Sequence, residues 1–140
     1  MNDHPTRLSL TDIANHAEVR LSAVSNWRTR HRDFPAPEVV AGHELFDAHD
    51  VAVWLRAREH SDGGFTASPV TRIPDLLSTA TALHALAALE APLGPAKDRC
   101  LDFVDSLWTN EGGFYGHWGD TMVDGEYTYY GLLALGHLSL

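Results

Sequence analysis

The sequence is poor in groups that could cross-link the chain or anchor it. Cys100 is its one cysteine, so an internal disulfide, a structural thiolate zinc site and a paired-cysteine redox centre are all excluded. The chain also lacks the run of about 20 apolar residues that a membrane span needs, and its first residues do not show the basic-then-apolar order of a secretory signal. We therefore expect a globular protein in the cytoplasm.

Positive charge is scarce and unevenly placed. The formal net charge is −9; residues 61–140 hold ten acidic and three basic side chains, whereas residues 1–60 hold nine and seven. This balance argues against indiscriminate binding to nucleic acid. One window without a carboxylate nevertheless holds Arg20, Arg28, Arg30 and Arg32 and can attract phosphate. A solvated loop that is rich in arginine is the alternative interpretation.

The apolar spacing around this window predicts two short helices joined by a turn at Val19. Thr11 can cap the first helix, and small alanines let the two helices cross closely, as in a helix-turn-helix. The inner residues of the pair are Ile13, Ala14, Ala17, Val24 and Trp27. The second helix would enter the major groove of DNA. The predicted DNA contacts are Arg20, Ser22, Ser25, Asn26, Arg28, Arg30 and Arg32.

A short hairpin and a third helix follow. Pro35 and Pro37 end the second helix, residues 39–46 can fold as a hairpin, and a helix from Asp47 or Asp50 carries the pair Trp54-Leu55. With FPAP, a short wing and a terminal WL, residues 8–58 resemble the winged helix-turn-helix domain of the MerR, excisionase and prophage AlpA type. The resemblance implies binding to double-stranded DNA. The sequence departs from that family at Glu18, where a turn glycine is usual, and at Arg20, where a serine cap is usual.

The second half of the chain is an internal repeat. Shifted by 49 residues, Gly63-Gly64-Phe65 falls on Gly112-Gly113-Phe114 without a gap. Further matched pairs are Asp75 and Asp124, Thr79 and Thr128, Leu83 and Leu132, Ala85 and Ala134, Leu86 and Leu135, and Leu89 and Leu138. Such a period predicts an array of helical hairpins. The expected helices are 47–59, 75–89, 96–108 and 124–138, so that 47–59 serves both halves.

These helices are of two kinds. Helices 75–89 and 124–138 are apolar nearly all round, which suits an inner layer, whereas 96–108 alternates apolar and charged residues like an outer layer. Gly-Gly-Phe followed by a D-x-x-x-T helix resembles the repeat of prenyltransferases and squalene cyclases. Over residues 54–140 this resemblance implies an incomplete α/α toroid. The predicted fold is mainly α: a winged helix-turn-helix with a small β-hairpin, fused to α/α hairpin repeats.

The catalytic residues of that family are not matched. The resemblance places zinc ligands in a D-G-C-Y segment, here Asp124-Gly125-Glu126-Tyr127, and in D-x-x-H-T, here residues 75–79 with Ser78 in place of histidine. The carboxylates that remain would make a poor zinc site, because zinc prefers Cys and His. The D-x-D-D acid of the cyclases is missing as well. We therefore expect no catalysis, no metal and no cofactor.

A ligand pocket is a separate hypothesis. Aromatic and polar residues near the second Gly-Gly-Phe could line a site for an isoprenoid or another apolar ligand: His117, Trp118, Asp124, Glu126, Tyr127 and Tyr130. Ordinary packing is the alternative for the aromatic residues, and helix capping is the alternative for Asp75 and Asp124. His84 and His137 fit a role inside the helical core.

Together these patterns predict a sequence-specific DNA-binding protein, a transcriptional regulator that associates with the nucleoid. Residues 1–60 would be the DNA-binding domain, and 61–140 a degenerate toroid module for dimerisation or apolar-ligand sensing. Two hairpins cannot close a toroid, so a second copy or a helical-repeat partner would cover the exposed inner helices. Alternatively, the chain folds back as a compact four-helix array, or its remaining repeats belong to a separate polypeptide. The alternatives are an enzyme or subunit acting on a prenyl diphosphate, and a non-catalytic interaction scaffold.

Overall fold

The computed structural model describes residues 6–16 and 21–140. Its described part is mainly helical, with a small antiparallel sheet in the strand order β1-β3-β2. The elements in chain order are β1 (Arg7–Leu8), α1 (Leu10–His16), α2 (Leu21–Arg30), β2 (Glu38–Val40), β3 (His43–Asp47), α3 (Ala48–Arg56), α4 (Leu76–Ala88), α5 (Ala96–Ser106) and α6 (Gly125–Leu138). The predicted turn at residues 17–20 lies outside the described residues.

The predicted hairpin is present, and a third strand, which was not predicted, extends it to a three-stranded sheet. β2 and β3 meet through a two-residue turn, Ala41-Gly42, whose φ angles of 51° and 81° suit the right-handed twist of a hairpin. β1 then pairs with the other edge of β3, which brings Leu8 opposite Phe46. A strand of two residues is too short to show an alternating pattern, so the sequence did not predict it.

Aspartates begin three of the helices. The carboxylate of Asp47 accepts hydrogen bonds from the backbone N–H groups of His49 and Asp50. Asp75 accepts from the Ser78 N–H at 2.7 Å, and Asp124 accepts from the Tyr127 N–H at 2.8 Å. These bonds satisfy backbone donors that the first helical turn leaves open. The helix bounds lie within three residues of the predicted ones.

The repeat of 49 residues is also a repeat of backbone pairing. Phe65 forms isolated β-bridges with Glu59 and Asp75, and Phe114 forms the same bridges with Trp108 and Asp124. Both phenylalanines are only 1% exposed. Each Gly-Gly-Phe segment thus runs back between the end of an outer helix and the start of an inner one, and its ring fills the space between the two layers.

Helix α3 contacts both halves of the chain. It packs against β3 on one side and against α4 on the other. The Trp54 ring, on α3, lies 5.9 Å from the ring of Trp27 and 5.0 Å from that of Phe34. The buried apolar side chains therefore form one continuous core from β1 to α6.

The inner helices α4 and α6 pack side by side, with α3 and α5 outside them. Between the inner helices, His84 Nδ1 lies 2.7 Å from His137 Nε2, which agrees with the predicted core role. Cys100 is fully buried on α5, as predicted, and burial raises the pKa of its thiol. The far side of α6 stays open: Tyr129 is 56% exposed and Leu132 61% exposed.

Candidate functional site

The first candidate surface is the outer face of α2. Val24 is completely buried, so the opposite side of the helix faces solvent. The predicted DNA contacts that the structure leaves exposed there, or just after the helix, are Ser22, Ser25, Asn26, Arg30 and Arg32. Arg20 lies outside the described residues. One short surface therefore carries hydroxyl, amide and guanidinium groups, the groups that contact DNA bases and phosphates.

Arg28 differs from its neighbours because it is paired. Its two terminal nitrogens donate to both carboxylate oxygens of Glu44 on β3, at 2.5 Å and 2.8 Å. This hydrogen-bonded pair raises the pKa of Arg28 and lowers the pKa of Glu44. The window without carboxylates in the sequence is thus not free of them in space, because the hairpin brings Glu44 to α2. The Arg28–Glu44 pair links α2 to the hairpin, and the charge of Arg28 is largely compensated by that of Glu44.

The second candidate site is a cavity of about 410 Å³ at the N-terminal ends of the two inner helices. Its lining residues are Thr71, Ile73, Asp75, Leu77, Gly116, His117 and Tyr127. The segments after each Gly-Gly-Phe build its floor, and the Leu76 N–H donates to the carbonyl of Gly116 at 2.7 Å. Gly116 is needed there because a Cβ would lie 2.4 Å from the Tyr127 ring.

Carboxylates dominate the charge of this cavity. The pKa of Tyr127 is raised by the negative charge of Asp120 first, then by partial burial, and further by three other carboxylates, of Asp124, Glu126 and Asp75. The Asp120 carboxylate also accepts from the Gly116 N–H at 2.8 Å and lies 3.1 Å from His117 Nε2. Such a field repels an anionic ligand and favours a cationic or neutral one.

The structure places two of the six predicted pocket residues on this cavity, and whether they bind a ligand stays a prediction. His117 and Tyr127 line the cavity, but Trp118 does not: its ring stands edge-on to Phe103 at 5.3 Å, and its N–H donates to Ser106 Oγ. Tyr130 packs against the core beside Tyr129, and Glu126 is exposed. Asp124 caps α6, which was the alternative to a ligand-binding role for this residue.

The residues at the zinc positions of the resembled family do not fit that metal. One carboxylate oxygen of Asp124 is committed to the cap of α6, and Glu126 points to solvent. In the described part of the chain, no three His, Cys, Asp or Glu side chains come close enough to hold a metal ion.

Two polar side chains of functional interest were missed at the sequence level. Asp120 organises the loop below the cavity, and Arg58 lies buried on the Trp54 ring, 3.5 Å from its centroid. The signal for Arg58 was its position four residues after Trp54, because residues at that spacing on a helix are neighbours. For Asp120, nothing in the local pattern marked it out from the other loop aspartates.

Sequence similarity to a known family covers the second half of the chain and part of the first. Among the described helices, none is long and apolar enough to cross a membrane. No curated protein matches the chain. The family model of the prenyltransferase alpha-alpha toroid domain matches residues 38–139, so the match begins at β2, earlier than the predicted residue 54. Since this match covers well over half of the sequence, the chain belongs to the prenyltransferase alpha-alpha toroid family.

Proposed function

We propose that the chain is a DNA-binding protein in which a toroid-family module without catalytic groups serves dimerisation or ligand sensing. The observation that carries the proposal is the exposed face of α2, with Ser22, Ser25, Asn26 and Arg30 on one side of a helix whose other side is buried. Helices that read the major groove have this form. The hairpin beside α2 would lie along the DNA backbone.

Charge limits the affinity that this face can reach. Arg30 and Arg32 are exposed, whereas Arg28 is neutralised by Glu44 and Arg7 by Glu38 at 2.7 Å. Each arginine that contacts a phosphate releases counterions, so binding weakens as salt rises. With few free arginines and a net charge of −9, we propose weak binding to random DNA and a need for paired sites.

Pairing would come from the toroid module. The open side of α6 exposes Tyr129 and Leu132, and a second copy placed there would bury both. A two-fold dimer would present two α2 helices to two half-sites of one duplex. We propose this homodimer as the DNA-binding form; a helical-repeat partner of another kind is the alternative.

Fluorescence anisotropy with a short mixed-sequence duplex tests DNA binding. We expect binding at low salt that weakens as salt rises, with two chains per duplex at saturation. Arg30→Ala should reduce the slope of log affinity against log salt by about one. Arg72→Ala, which removes the same charge from an exposed loop of the other half, is the matched control and should leave the slope unchanged.

The Glu44 carboxylate gives the opposite test in the same assay. Glu44→Gln frees the charge of Arg28, so the variant should bind DNA more tightly than the unmodified chain at low salt. If the unmodified chain binds no duplex at low salt, the proposed function is wrong.

Family membership favours a second candidate, an enzyme or subunit that acts on a prenyl diphosphate. The cavity at the N-terminal ends of α4 and α6 is the site that such a substrate would use. Against it stand the four carboxylates whose charge reaches Tyr127. The basic residue that lies closest in sequence to the lining residues of this cavity is Arg72, between Thr71 and Ile73. Arg99, another basic residue of this half, is already paired with Glu59.

Calorimetry with farnesyl diphosphate and Mg²⁺ separates the two candidates. We expect no measurable heat of binding, because the carboxylates repel the diphosphate more strongly than one arginine attracts it. Turnover, or saturable binding that requires Mg²⁺ and that Asp120→Asn changes, would support the enzyme instead. Asp98→Asn, on the outer helix α5, removes the same charge elsewhere and is the control.

A further inference from the structure

A separate cavity of about 280 Å³ lies where the two halves of the chain meet. Helix α2 contributes Trp27 and, just after it, His31; α3 contributes Trp54 and Leu55. The remaining lining residues come from the loop after α3 and from α4: Arg58, Phe65, Thr66, Ala67, Leu77, Ser78, Thr81 and Ala82. The volume is just below the range of small-molecule sites, which occupy about 300–1,000 Å³.

This cavity is distinct from the one at the N-terminal ends of the inner helices. The two share only Leu77. The junction cavity takes one wall from α2 and lies on the side of α4 that faces α3, away from α6. No residue of the second repeat lines it. The junction cavity therefore exists only where α2 packs beside α3 and α4.

The chemistry of the wall is specific. Trp27, His31, Trp54 and Phe65 supply flat rings. Four further lining residues are aliphatic and three carry hydroxyl groups. Arg58 is the lining cation, with a side chain only 5% exposed. Burial lowers the pKa of Arg58, and the carboxylate of Asp33, 3.4 Å away and half-exposed, offsets this only in part.

The hydrogen bonding of Arg58 is incomplete. One terminal nitrogen donates to the carbonyl of Trp54 at 2.7 Å, and the other lies 3.4–3.5 Å from the oxygens of Asp33. Its Nε is buried, and in the described part of the chain no acceptor reaches it. The contacts to Asp33 are longer than the roughly 2.7–3.2 Å of an ordinary N–H···O bond, so a closer acceptor on a ligand would improve the hydrogen bonding of that terminal nitrogen.

We propose that the junction cavity is a binding site for a small, flat, apolar molecule that carries one carboxylate, held by Arg58 and packed against the lining side chains of Trp27, His31 and Trp54. The inference deepens the proposed function, since the ligand would touch the helix whose other face is proposed to contact DNA. Binding to the cavity is tested without DNA, so that its failure is distinguishable from a failure of DNA binding.

Calorimetry on the full chain with 2-naphthoate is the direct test. A matched probe, 2-naphthylmethylammonium, has the same flat body with a positive group. We expect saturable binding of the anion and binding at least about tenfold weaker for the cation, the size expected for a hydrogen bond to a charged group. Equal affinity for the two probes would overturn the proposal.

Two variants place the binding in this cavity. Thr81→Phe fills the cavity from α4 and should abolish naphthoate binding, whereas Thr121→Phe, at an exposed threonine outside it, should not. Arg58→Gln keeps most of the side chain and removes the charge, so the preference for the anion should disappear. Full naphthoate affinity in Thr81→Phe would place the binding elsewhere and overturn the proposal, even if Arg58→Gln fails to fold.

Discussion

Replacing Gly63 with alanine should destabilise the protein by about 3 kcal/mol or more, because two costs add at this position. The φ angle of Gly63 is +99°, which residues with a side chain rarely adopt. In addition, the new Cβ would lie 2.0 Å from the carbonyl oxygen of Arg99, so the backbone of α5 would have to move. Urea unfolding followed by far-ultraviolet circular dichroism measures the loss.

The repeat provides a matched control for this substitution. Gly112 is the equivalent residue 49 positions later, with a φ of +89°, and a Cβ added to it would have no neighbouring atom within 4 Å. Gly112→Ala should therefore cost only the backbone strain, about 1–3 kcal/mol. If the two variants lose the same stability, the contact between the first Gly-Gly-Phe loop and α5 is not the cause.

Trp54→Ala should remove about 3–5 kcal/mol, the cost of emptying a large aromatic site in a core. Trp54 is 6% exposed, contacts rings on α2 and in the loop after it, and carries the stacked guanidinium of Arg58. Because one core runs through both halves, we also expect α6 to lose protection against amide hydrogen exchange together with α2.

Trp108→Ala is the control for the tryptophan at the junction. Trp108 is 53% exposed and has an edge contact with Phe114, so its removal should cost less than half as much. Should α6 keep its full protection in Trp54→Ala while α2 loses its own, the two halves unfold independently. The continuous core would then not be a cooperative one.

The repeat was the most predictable part of the structure. When the sequence is compared with itself at a shift of 49 residues, Phe65 aligns with Phe114. The two phenylalanines therefore form equivalent backbone bridges, to Asp75 and to Asp124. Both aspartates precede strongly apolar segments, which marks the helix starts. Helix ends and starts could accordingly be placed to within a few residues.

Contacts between elements were less predictable, because they depend on directions in space. The pairing of Arg28 with Glu44 requires the hairpin to fold back on α2, and the local spacing of residues does not predict this contact. Trp118 follows His117 directly, but a bend in the chain points its ring at Phe103 and away from the cavity. The interpretation of residues 8–58 as a DNA-binding domain remains a prediction.

The junction cavity could not be predicted from either half. It needs Trp27 from one sequence pattern and Thr81 from the other, and only the packing of α3 against α4 brings them to one space. Arg58 could have been placed on Trp54 from their spacing, but its missing hydrogen-bond partner is visible only once the walls around it are known.

The helical stack has two unlike ends. At one end, α3 packs against β3, and its Trp54 ring meets Trp27 of α2. At the other end, α6 keeps an apolar side open. This open side of α6 is the edge that a second copy would cover. Two copies that meet through this edge leave no second edge to recruit a third, and association of this kind stops at a pair instead of growing into a filament.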